Sequence, residues 1–140
     1  MMMTNITFTK GIGTPVYMAP EILKHQHYKM PADIFSFAIT MFETFAWNEC
    51  YSKREFKFPW KIAEFVVNGK RQRKHDEIDD EEFDLIEKSW NENPKERLEM
   101  NEIVKRLEIL VLNENDFSKN DEKENISNSN SSLSESNESE

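Results

Sequence analysis

Glycine is scarce in this chain: of 140 residues only Gly11, Gly13 and Gly69 are available to a phosphate-cradling loop. Gly11-Ile12-Gly13 begins like such a loop, but Val16 stands where the third glycine would fall. Cysteine is scarcer still. Cys50 alone excludes an intrachain disulfide and suits a reducing compartment. No HExxH or CxxC occurs, and His25 and His27 have no third or fourth ligand nearby in sequence, so no metal is expected. Basic charge is short as well, with 18 Lys and Arg against 27 Asp and Glu, a net −9. Its one cluster, Lys70 to Lys74, is followed at once by acids and reads as a solvated turn. Nucleic-acid backbones need a clustered basic surface, so nucleic acid is not an expected partner. The longest apolar stretch, Ile34 to Trp47, is too short to span a bilayer and carries Ser36, Thr40 and Glu43, so no membrane partner is expected either. Met1 to Lys10 is polar and shows no signal peptide; a soluble cytoplasmic protein is the expectation.

What is present is aromatic and unevenly placed: ten Phe, three Trp and three Tyr, with 37% hydrophobic residues overall. From Lys119 to Glu140 only Ile126 and Leu133 are apolar, and two lysines against six acids give that stretch a charge of −4. Such a segment cannot recover its ordering entropy, so residues 113–140 are expected to form a disordered acidic Ser/Asn-rich tail. The remainder reads as helices with short connections and no strand signal. Pro20 opens a short helical turn. Pro31 opens a longer helix over about 31–47, with Asp33 at its positive end. On that helix Asp33, Ser36, Thr40 and Glu43/Thr44 form one narrow polar stripe, and all else is apolar, including Trp47. A helix so apolar must be wrapped on several sides. Pro59 starts a third helix and Gly69 stops it. Asp79 and Glu82 have capping-box spacing ahead of Phe83, Ile86 and Trp90, and Asn93-Pro94 closes that helix. Met100, Ile103, Val104, Leu107, Leu110 and Val111 mark a last amphipathic helix.

One stretch is highly specific. Gly13-Thr14-Pro15-Val16-Tyr17-Met18-Ala19-Pro20-Glu21 resembles the end of the activation segment of Ser/Thr protein kinases, with its A-P-E signature. Tyr28 and then Ala32-Asp33-Ile34-Phe35-Ser36-Phe37-Ala38 follow at the family's spacing and are similar to the opening of its central buried helix. Trp90-Asn91-Glu92-Asn93-Pro94-Lys95-Glu96-Arg97 resembles a later family segment, and Met100 to Val104 its last helix. With Val66 to Arg71, the pattern looks most like the tyrosine-kinase-like branch. The implied fold is mainly α: a partial kinase carboxy-terminal lobe over residues 1–112, without the amino-terminal lobe or catalytic loop.

The resemblance implies roles. Gly13, Thr14, Pro15 and Tyr17 would face the peptide substrate, and Thr14 implies Ser/Thr acceptors. Glu21 would pair with Arg97, and Asp33 would hold the backbone of the catalytic loop. Thr4, Thr7 and Thr9 fall in the activation-loop region and are candidate phosphorylation sites. Phe35 replaces the family's usual Trp, Ala38 its usual Gly, and Leu98-Glu99 a usual Pro-Thr or Pro-Ser that caps the next helix. The family transfers phosphate with a glycine-rich loop, a Lys–Glu pair, an H-R-D Asp, an Asn and a D-F-G Asp on magnesium. None of these stands in the 140 residues, and Asp116-Phe117-Ser118 mimics D-F-G at the wrong end. These residues alone are therefore expected to hold no Mg-ATP and to be catalytically inactive. The expected partners are a protein substrate or a kinase partner. Two other readings stand beside this one: a non-catalytic kinase-like binding module using residues 59–68 and 13–21, and a degenerate product that does not fold.

Overall fold

The computed structural model describes residues 15–27 and 29–113. It is helical, with no strand among the described residues: a 3-10 turn Pro15–Tyr17, then α1 (Pro20–Leu23), α2 (Met30–Ala46), α3 (Pro59–Val67), α4 (Asp80–Ser89) and a second 3-10 turn Pro94–Glu96. A further helix, α5, covers 100–113.

Proline sets three of the starts. α1, α2 and α3 each have Pro in the first two helical positions, where its missing N–H costs nothing. α4 starts on a complete capping box: the Asp79 carboxylate accepts the Glu82 N–H at 2.8 Å, and the Glu82 carboxylate accepts the Asp79 N–H at 3.0 Å. Gly69 follows α3 at φ +74°, a conformation that suits a residue without a Cβ.

α2 is the axis of the fold. Ala32, Ile34, Phe35, Ala38, Ile39, Met41, Phe42 and Ala46 are buried on it. Its polar stripe is the open side: Asp33, Thr40 and Thr44 are exposed, and Ser36 and Glu43 are half-buried. The stripe's two threonine hydroxyls are satisfied within the helix, Thr40 donating to Ser36 O at 3.3 Å and Thr44 to Thr40 O at 2.8 Å. α4 packs along α2, and the Pro15–Tyr17 turn lies between α2 and α3. Around them, Trp90 stacks on Phe42 at 5.9 Å, and Tyr51, Phe56 and Phe65 meet edge-on.

Two expectations need correction. Trp47 does not belong to the apolar girth of α2: the helix ends at Ala46, and Trp47 is left-handed at φ 47° and 91% exposed. Reversal of φ at the cap swings its side chain off the helical register, so a pattern continued by one residue assigns it to the wrong face. α4 also ends earlier than Asn93-Pro94, at Ser89. There the Asn93 side chain instead accepts the Lys95 N–H at 3.1 Å and caps the second 3-10 turn.

The chain divides into compact units between Ile103 and Val104, inside α5. The first unit closes on Ile103, which is fully buried. In the second, residues 104–113 are helical, with Val104, Ile109, Val111 and Leu112 exposed. The expected tail from 114 onward lies outside the described residues. No helix among the described residues is long and apolar enough to cross a membrane.

Candidate functional site

The Pro15–Tyr17 turn is held on α2 by two polar contacts two helical turns apart. Ser36 Oγ donates to the Tyr17 carbonyl at 2.6 Å, and Tyr17 OH donates to Glu43 Oε2 at 2.8 Å. Ser36 and Glu43 share one face of the helix because seven residues make nearly two turns. Glu43 is fixed in return, since its Oε1 accepts the Cys50 N–H at 3.2 Å. The hydrogen bond to the Glu43 carboxylate, with lesser help from burial, pushes the Tyr17 phenol above its ordinary range. Tyr17 stays 40% exposed and borders an open cavity of about 650 Å³ with Glu43, Trp47, Tyr51, Lys57 and Ile62. Pro15 is half-buried at the start of the turn. Gly13, Thr14, Thr4, Thr7 and Thr9 lie outside the described residues, as does Tyr28.

Behind the turn, Glu21 and Arg97 form a fork-to-fork ion pair across 76 positions of sequence. Arg97 Nη1 donates to Glu21 Oε1 at 2.7 Å and Nη2 to Oε2 at 2.8 Å. The same guanidinium donates from Nη1 to Pro31 O at 2.7 Å and from Nε to Asn91 O at 2.8 Å. One side chain thereby joins α1, the start of α2 and the loop after α4. The pair is nearly dry, with side-chain exposures of 0% for Arg97 and 12% for Glu21. Burial by itself pushes the Glu21 carboxyl up, but the Arg97 hydrogen bonds, a backbone hydrogen bond and the nearby guanidinium charges outweigh it and leave the group below its ordinary value. Asp33 sits exposed in the first turn of α2.

Arg71 corrects the reading of Lys70–Lys74 as a solvated turn. Its side chain is only 14% exposed and donates to Trp90 O, Val66 O, Lys70 O and Glu92 Oε2 at 2.7–3.2 Å. Its guanidinium carbon lies 4.9 Å from the centre of the Phe35 ring, and that of Arg97 lies 5.2 Å from the same ring. Glu92 also takes Lys24 at 3.3 Å, closing the network back onto the end of α1. Reading the sequence assigned no role to Glu43, Arg71 or Glu92. The signal available for Arg71 was its place two residues after the helix-stopping Gly69.

A helical lobe in which an A-P-E turn is clamped to a later arginine, and the turn before it is hung on a buried helix, has the architecture of part of a protein kinase catalytic domain. A sequence model of protein tyrosine and serine/threonine kinases matches residues 4–107, and the chain belongs to this family. It is 36% identical over 103 residues to the dual specificity protein kinase shkB of Dictyostelium discoideum, covering 71% of this chain and 16% of that protein. It is 34% identical over 104 residues to the serine/threonine-protein kinase STY17 of Arabidopsis thaliana, covering 74% of this chain and 18% of the relative. With dual specificity protein kinase shkA of Dictyostelium discoideum the identity is 31% over 102 residues, 71% of this chain and 19% of the relative. The chain thus spans less than a fifth of the length of these curated relatives.

Proposed function

We propose that this chain supplies the peptide-facing part of a Ser/Thr protein kinase domain, and that residues 1–140 by themselves do not transfer phosphate. The observation that carries the reading is the tether of Pro15–Tyr17. Ser36 and Glu43 hold the turn on α2, the Glu21–Arg97 pair locks the segment that follows, and an open cavity lies beside Tyr17. A rigid wall beside an open groove is what recognition of an extended peptide needs. In this reading Gly13, Thr14, Pro15 and Tyr17 contact the residue after the phosphoacceptor, and the protein works in the cytoplasm on protein substrates. This reading gives residues 1–140 no Mg-ATP of their own, because the glycine-rich loop, Lys–Glu pair and metal-holding Asp and Asn of the family are not recognised in their sequence.

The test starts with the size of the native product, probed with an antibody against residues 113–140. A band at least about twice the 16.7 kDa of this chain, whose immunoprecipitate phosphorylates serine or threonine while recombinant 1–140 does not, is the expected result. Phosphoryl transfer by recombinant 1–140 would overturn the inactive-fragment reading. A native band at 16.7 kDa with no kinase activity would leave the binding-module reading in its place.

A further inference from the structure

The face formed by residues 54–58 and α3 carries the charge opposite to the rest of the molecule. An open groove of about 430 Å³ there is bordered by the cations Arg54, Lys57, Lys61 and Lys70 and by only two carboxylates, Glu55 and Glu64. In a chain of net charge −9 this is a local reversal of sign. Both carboxylates are already engaged: Glu64 pairs with Lys61 at 3.1 Å, and Glu55 accepts from Gln72 at 3.3 Å. Among the described residues, no carboxylate lies within ion-pair distance of Arg54, Lys57 or Lys70.

The groove also has an apolar component. Its floor is Phe56, edge-on to Phe65 at 5.2 Å. At its edge the Phe58 ring lies parallel to Trp60, 4.3 Å away and 5° from coplanar, and the two residues are 48% and 49% exposed. Two large aromatic rings stacked in water, next to cations without counter-charges, leave both apolar area and charge uncompensated.

We propose that this groove docks an acidic segment of a partner protein that carries an aromatic or large aliphatic side chain. Its carboxylates meet Arg54, Lys57 and Lys70, and its apolar side chain covers Phe58. The reversed charge selects the occupant. Cations beside an exposed Phe58–Trp60 pair call for carboxylates and an apolar side chain together, which an acidic peptide segment supplies. Among the described residues none of these side chains bonds to Glu21, Arg97 or Glu43, and Phe56 and Lys57 are the two that also border the cavity beside Tyr17, so Arg54, Lys70 and Phe58 test the groove apart from the kinase reading.

The test uses the purified 140-residue chain and a fluorescein-labelled peptide of glutamates around one central phenylalanine, read by anisotropy. Saturable binding is expected, falling about tenfold when salt is raised from low to half-molar. The same peptide with serine for phenylalanine should bind more weakly, and one with lysines for glutamates should not bind. Reversal of the three cations (Arg54→Glu, Lys57→Glu, Lys70→Glu) should weaken binding about tenfold or more, while Lys95→Glu on another surface leaves it within about twofold. If the triple variant does not fold, Phe58→Ala and amide chemical-shift changes confined to residues 54–70 of the unaltered chain carry the same test. Four results would each overturn the proposal: no saturable binding, equal binding of the lysine peptide, displacement by a single-stranded oligonucleotide, or a chain whose dimer is dissolved by the triple reversal.

Discussion

Replacing Arg97 by alanine should be the most damaging single change in the described part of this chain, and the structure fixes why. The substitution removes four hydrogen bonds at 2.7–2.8 Å and leaves three acceptor groups, the Glu21 carboxylate, Pro31 O and Asn91 O, without their donor in a nearly dry site. Breaking a buried ion pair from one side costs about 3–5 kcal/mol. A domain of this kind is stable by about 5–15 kcal/mol in total, so Arg97→Ala brings the fold close to its limit. Glu21→Gln is the gentler probe: it keeps the shape and one acceptor but loses the charge, and should cost about 1.5–3 kcal/mol. Arg97→Lys should lie nearer to alanine than to the parent, because an ammonium cannot present a planar fork to the carboxylate while also reaching two carbonyls. Urea unfolding at neutral pH, followed by tryptophan fluorescence and far-ultraviolet circular dichroism, gives the three values and the Glu21/Arg97 double-mutant coupling. A loss under about 1 kcal/mol for Arg97→Ala, or strict additivity of the two sites, would refute the reasoning.

Three further outcomes follow from other parts of the structure. Cys50 is the one thiol in the chain and is buried, and burial, with Glu43 nearby, pushes it far above the ordinary thiol range; a disulfide reagent should label it slowly in the native chain and rapidly in urea. Asp79→Ala removes the acceptor of a complete capping box and should lower stability by about 1 kcal/mol in the same urea titration, with Asp79→Ser recovering most of it. Glu21 has a folded-state pKa below its ordinary value of 4.5, so its contribution is complete above that value and is lost as pH falls through the lower folded value; the unfolding midpoint of the parent should drop with acidification in that window, and Glu21→Gln should flatten that part of the profile.

The helices were legible because their punctuation is chemical and local. Pro20, Pro31 and Pro59 fix starts, Gly69 a stop, and Asp79 with Glu82 a cap, so each start falls within a residue or so of its expected place. The burial of α2 was legible from its narrow polar stripe. What that stripe does was not: Ser36 and Glu43 read only as members of a polar stripe, yet they are the hooks on which Tyr17 hangs, because a partner 19 or 26 positions away leaves no periodic trace. Trp47 was misread because hydrophobic spacing carries no information about a reversal of φ at the last residue. Arg71 was misread because a run of like charges suggests water, and the sequence does not say which member of the run folds its stem inward.

Taken together, these polar groups, from the buried Arg97 to the exposed Lys24 and Glu92, form a closed circuit around one aromatic ring. From α1, Lys24 reaches Glu92, Glu92 takes Arg71, and Arg71 lies against Phe35; on the other side Arg97 lies against the same ring and returns to α1 through Glu21. Phe35, fully buried, stands where the family's usual residue is Trp. A phenyl ring keeps the apolar wall and has no indole N–H to satisfy; both guanidinium groups lie over it and donate to carbonyls and carboxylates. The circuit ties the helix after the Pro15–Tyr17 turn to the loops at 70–71 and 90–97 without using any residue of the turn itself. On the proposed function, the segment that would meet a peptide therefore rests on two supports, this frame and the separate bond of Tyr17 to Glu43.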